Sequence, residues 1–146
     1  MSRRSGSAEV SSPSRADRTV ARAIARLARV WRVADLGRSL DVRFSGRLTA
    51  TLGRAFPATG RVTLHAALRE SDPRLLREVL CHEVAHVVAW RSARAAGTPR
   101  PKAHGSEWES LVRRAGYTPR RVVLRSTVPK LPPRGAGLKR PVRRGW

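Results

Sequence analysis

His82-Glu83-Val84-Ala85-His86 reads H-E-x-x-H. At 3.6 residues per turn, residues i and i+4 lie on one face of a helix. Two imidazoles so placed bind one Zn²⁺, and the adjacent glutamate can act on a water held by that metal. The plain alternative is a polar patch on an ordinary helix. The flanks argue against it, because Val79 to Trp90 is apolar almost all round apart from the motif. Such a helix is buried on most sides, and buried His and Glu need partners. A metal supplies one.

A catalytic zinc takes three protein ligands and leaves one position for water. The chain has four histidines. His65 lies on a strand candidate and reads as a strand or rim residue. His104 follows a Gly97-to-Lys102 loop and opens a second helical pattern, in which Trp108, Leu111, Val112 and Ala115 face the core. A loop of this length turns the chain back towards the His82/His86 face, making His104 the candidate third ligand. Glu107 is its rival; Glu107 and Glu109 otherwise read as first-turn acids favoured by the helix dipole. The metzincin pattern is excluded, since Ala89 and Ser92 stand where its glycine and third histidine would be. Cys81 lies about 100° round the helix from His82 and reads as a small core residue.

These residues need elements to hold them. Ser71 or Asp72 suits an N-cap, Pro73 the first helical position, and the helix should end at Ala95 or Ala96, before Gly97 and Pro99. An earlier helix is expected over 15–36, with Val20, Ile24, Leu27, Trp31 and Ala34 on one face and Gly37 at its end. Arginines 18, 22, 26, 29 and 32 fill much of the remainder, as a solvated face or as one laid along phosphates. Three strands are expected over Asp41–Ser45, 48–56 (Leu48, Ala50 and Leu52 on one side) and Arg61–His65. We read an antiparallel sheet beside the zinc helix, with Arg61–His65 as an edge that pairs with extended substrate. Val62 and Leu64 are then substrate-binding candidates. Tyr117, the only tyrosine, is the candidate for an extra donor to the oxyanion. Arg121 to Arg125 suggests one more strand. The fold class is α+β, a minimal zincin-like metalloprotease domain. No internal repeat or phosphate-cradling glycine motif is present.

At 146 residues the chain is one domain with tails: a disordered basic segment over 1–14, the zincin domain over 15–125 and a disordered Pro/Gly/Arg-rich tail over 126–146. The net charge of +21 exceeds what solubility needs and points to DNA or another polyanion, engaged through basic termini. Only three of the 31 basic residues are lysine, so arginine-rich composition is the competing explanation. Trp146, beside Arg143 and Arg144, could stack on a base. One cysteine excludes a disulfide framework and suggests a reducing compartment. No apolar run reaches membrane-spanning length, and 1–18 lacks the apolar core of a secretory signal. A cytoplasmic protein, with nucleoid association open to it, is the expectation.

His82-Glu83-Val84-Ala85-His86 followed by His104-Gly105-Ser106-Glu107-Trp108 resembles the H-E-x-x-H … H-G-x-x-(aromatic) pattern of the SprT-like zinc metallopeptidases. That family includes the Spartan-type DNA–protein crosslink proteases. Thr51 to Ala55 and Gly60 to Leu64 look like the family's sheet segment, and the similarity runs from about Val20 to Tyr117. It implies His82, His86 and His104 as zinc ligands, Glu83 as catalytic base, and a peptide or protein substrate associated with DNA. Many members carry a C-terminal four-cysteine zinc ribbon, which a single cysteine cannot build. Two other functions stay open: a zinc peptidase unconnected with nucleic acid, and a nucleic-acid-binding protein whose zinc site is structural or inactive.

Overall fold

A computed structural model describes residues 11–121. Helix α1 (Arg15–Trp31) opens on a capping box: the Asp17 amide donates to Ser14 Oγ and the Ser14 amide to the Asp17 carboxylate. The helix stops earlier than the periodicity predicts. Arg32 turns into the left-handed region at φ 58°, and the Val33 amide closes back onto the Ala28 carbonyl. The reason lies in Leu36. Continued helix would place it among the arginines of the solvent face. In the separate short helix α2 (Leu36–Ser39) it is fully buried, while Ala34, expected in the core, is exposed.

Strands β1 (Asp41–Ser45), β2 (Gly53–Phe56) and β3 (Arg61–His65) form one sheet in the order β1-β3-β2. β2 and β3 are an antiparallel hairpin, but β1 runs parallel to β3, so the sheet is mixed rather than antiparallel. The cause is residues 46–52. Only Gly53–Phe56 of the expected 48–56 strand is extended ladder; the rest is turn and bend, carrying the chain from β1 across to the far side of β3. Arg61–His65 is therefore the central strand, not an edge. Gly60 makes the hairpin turn at φ +73°, where a Cβ would meet the Ser39 carbonyl oxygen and Arg91 Nη2 at 2.5 Å. Arg91 instead bonds Ser39 through both Nη atoms, at 2.7 and 2.9 Å.

A 3-10 turn (Ala66–Glu70) leads into α3 (Pro73–Ala95), capped by the Asp72 side chain with Pro73 in the first turn. Val79, Leu80, Val84 and Val87 are buried against the sheet and α1, so this helix is the axis of the core. Gly97, at φ +65°, follows its end. The chain then loops into α4 (Ser106–Arg114), which is fixed to α1 by the Trp31 indole donating to the Leu111 carbonyl at 2.9 Å. Among the described residues, no helix is long and apolar enough to cross a membrane. All but Arg121 of the expected strand at 121–125, and stacking residue Trp146, lie outside the described residues, as do most of the two tails.

Candidate active site

One turn of α3 separates His82 from His86, and the loop before α4 delivers His104 to the same face. The three offer one ligand nitrogen each, all within 4.8 Å of one another. His82 Nε2 and His104 Nε2 are 3.2 Å apart. A tetrahedral zinc with Zn–N of about 2.0–2.1 Å holds its nitrogens roughly 3.4 Å apart. The His82–His104 pair already has that spacing, and closing the rest of the set from within 4.8 Å would let it hold such an ion. Glu107 is exposed in the first turn of α4 and takes no part in this group.

The rings are held in their ligating form. Burial, with the neighbouring His104, pushes His82 down to about 4; burial with His82 and His104 pushes His86 to about 3. His104 is lowered too, by burial and then by the charge of Arg121. Neutral imidazole is what binds a metal. Main-chain carbonyls supply the outer hydrogen bonds that orient such rings: Arg120 accepts from His82 and Ala103 from His86. Trp108 fixes the cluster from behind. It is buried, stacks on His86 at 5.6 Å between centroids, and donates its indole N–H to the His82 carbonyl at 3.1 Å.

Glu83 is 7% exposed and faces β2. Burial pushes its carboxyl up to about 8, against the opposing pull of the Ala55 amide and the Arg54 charge. The strand register explains that amide. The His65 amide bonds the Leu52 carbonyl, so alternation turns the main-chain groups of Gly53 and Ala55 away from β3. Gly53 is required by the same contact: a Cβ there would lie 2.7 Å from Glu83 Cγ and 2.9 Å from Oε1. The sequence carried a signal for this residue, since a glycine inside a strand marks close approach by another group. Ala55, Ala103 and Arg120 act through main-chain atoms and left no such mark.

The other candidates fall elsewhere. Val62 and Leu64 are fully buried in the central strand, with both neighbours paired, so neither can touch a substrate. The Tyr117 hydroxyl is engaged by Arg77 near Cys81, on the flank of α3 turned away from Glu83. Tyr117 also lines a small cavity with Glu78, His82 and Arg120. His65 is buried at the end of β3, where its Nδ1 accepts from the Ala67 amide at 3.0 Å. Cys81 is buried and its thiol is pushed up to about 12, chiefly by burial, which suits an inert core residue.

A family model described as the SprT-like family matches residues 21–128, spanning the sheet, both histidine-bearing segments and the glutamate. No curated protein and no solved structure matches the chain.

Proposed function

The chain belongs to the SprT-like family, whose general character is that of a zinc metallopeptidase domain, and from that premise we propose that it is a zinc-dependent endopeptidase acting on proteins held on DNA. The observation that carries the reading is the convergence of three neutral imidazoles beside a buried carboxyl poised near neutrality. Three side-chain ligands leave a zinc position open to water, the arrangement of catalytic rather than structural sites. A structural site has no use for an acid locked against its edge.

Zinc bound to His82, His86 and His104 would supply an acidified water and polarise the scissile carbonyl. Glu83 takes the proton of the attacking water and passes it to the leaving amine, and a carboxyl raised well above its ordinary range by burial can hold that proton between the two steps. The Ala55 amide holds the carboxylate in place, and the missing side chain at Gly53 leaves it room. β2 takes the role first expected of β3. Its outward main-chain groups at Gly53 lie beside the site and suit pairing with an extended substrate. The net charge of +21 supports a polyanion partner and, with it, a DNA-associated target.

Glu83→Gln tests the chemistry. It should keep one zinc per chain and lose cleavage of a protein crosslinked to DNA; retained cleavage would sink the peptidase reading. If the native enzyme cleaves but DNA neither binds at moderate salt nor stimulates it, a peptidase unconnected with nucleic acid remains.

A further inference from the structure

We propose that the solvent face of α1 is a docking surface for the phosphate backbone of a nucleic-acid duplex. Arg15, Arg18, Arg22, Arg26 and Arg29 are all exposed. At 100° per residue they fall within roughly 80° of arc, nearly opposite the buried face of Ala16, Val20, Ala23, Ile24, Leu27 and Trp31. At 1.5 Å per residue the line is about 21 Å long.

Solvated helix faces mix both signs, because like charges three or four residues apart repel. Here every step along the line is such a spacing, and no carboxylate relieves it. The single acid of α1, Asp17, is committed to Ser14 and to Arg69. None of the three ion pairs among the described residues involves an arginine of the line. Arg18 is drawn aside to the Pro13 carbonyl at 2.5 Å, and the Arg26 guanidinium lies towards Gly116 and Tyr117 past the end of α4. The guanidinium groups of Arg15, Arg22 and Arg29 therefore stand ready for an anionic partner, and guanidinium matches phosphate with paired hydrogen bonds.

The surroundings select a duplex. Single-strand grooves interleave basic residues with aromatics on which bases stack. The one aromatic of α1, Trp31, is buried and its indole is spent on Leu111. The only large hydrophobic exposed among the described residues is Phe56, away on β2. A row of charge without stacking platforms can follow a backbone but cannot hold splayed bases.

This inference rests on the nucleic-acid half of the function proposed above and not on its chemistry. The test measures binding of the full-length chain by fluorescence anisotropy against salt, using a 25-base-pair duplex and a homopyrimidine strand of equal length (about two helical turns, long enough for the line). The triple variant Arg15→Gln, Arg22→Gln, Arg29→Gln keeps good helix formers, and an unchanged melting temperature establishes that it is folded. Its slope of log affinity against log salt for the duplex should be shallower than the native one by about 2.7, a roughly fortyfold smaller loss between about 50 and 200 mM salt. A second triple variant, Arg38→Gln, Arg47→Gln, Arg94→Gln, removes the same charge from other exposed positions and should shift the slope by less than about 0.9. Equal slopes for the two variants, or a native slope in the first, overturns the surface. Equal or tighter binding of the single strand by the native chain overturns the duplex assignment. Lost peptidase activity with these results intact would count only against the catalytic reading.

Discussion

The inner face of α3 and the outer face of α1 are both rich in ionisable residues, yet they are built on opposite terms. On α3 the ionisable groups are few, and partners fix them closely: carbonyls for His82 and His86, an amide for Glu83, and Trp108 behind the rings. Burial favours the uncharged form of each, lowering the histidines and raising the glutamate. On α1 the charges are many, exposed and unpaired by any carboxylate. Geometry carries function on the first face, so single atoms should matter there. Summed charge carries it on the second, where effects should add in small equal steps.

The largest effect belongs to Glu83→Gln. The amide keeps the shape of the acid and cannot carry the proton, so kcat should fall by about 10²–10⁴ while bound zinc, read by metal analysis, stays level. A comparable loss of metal would place Glu83 among the supports of the site and blur the contrast between base and ligands.

Gly53→Ala comes next. The added Cβ must push Glu83 aside, and overpacking of this kind costs about 1–3 kcal/mol, while misplacing a catalytic group by about 1 Å can cost on the order of 100-fold in rate. The clash exists only while residue 83 is long. In a metal-free Glu83→Ala background the Gly53→Ala change should leave the melting temperature where it was. A similar drop in both backgrounds would show that Gly53 serves the strand and not the acid.

Much of this comparison was legible before any coordinates. The limits of α3, its caps and its two histidine positions follow from local rules: H-E-x-x-H spacing, Asp72-Pro73, Gly97. The arginine line follows from the same 3.6-residue period. What escaped depends on contacts far apart in the chain. Nothing within Asp41–Ser45 says whether it pairs in parallel, since that is decided by 46–52 failing to extend. Val62 and Leu64 alternate as well on a central strand as on an edge, so their pattern could not tell substrate face from core. Tyr117 was singled out for its chemistry, and only the packing of α4 on α3 reveals Arg77 beside it.

A smaller effect appears when the metal-free protein is melted across pH. An imidazole held at about 4 or 3 when folded, against 6.5 unfolded, binds fewer protons in the native state. Stability therefore falls as pH drops below about 6.5. Glu83 acts in the other direction: held at about 8 against 4.5, it contributes stability present below 4.5 and lost as pH rises through 8. Glu83→Gln should abolish the alkaline loss and leave the acid limb untouched. Zinc should suppress the acid limb, because bound rings no longer gain by unfolding to take up protons. An acid limb that persists at saturating zinc would put the titration outside the histidine cluster.

The smallest effect, and the sharpest test of the contrast, is Arg22→Gln. Its guanidinium makes no hydrogen bond or ion pair with a described residue, and glutamine is an equally good helix former. Stability should stay within about 0.5 kcal/mol of the native chain. Removing one member of a repelling row can even raise it slightly. Cleavage of a DNA-free peptide should not change, because α1 contributes no atom to the site. The one quantity that should move is the salt slope of duplex binding, by about 0.9. A change in peptide turnover would mean that the two faces communicate through the α1–α3 interface, and the division of labour drawn here would fail at its first step.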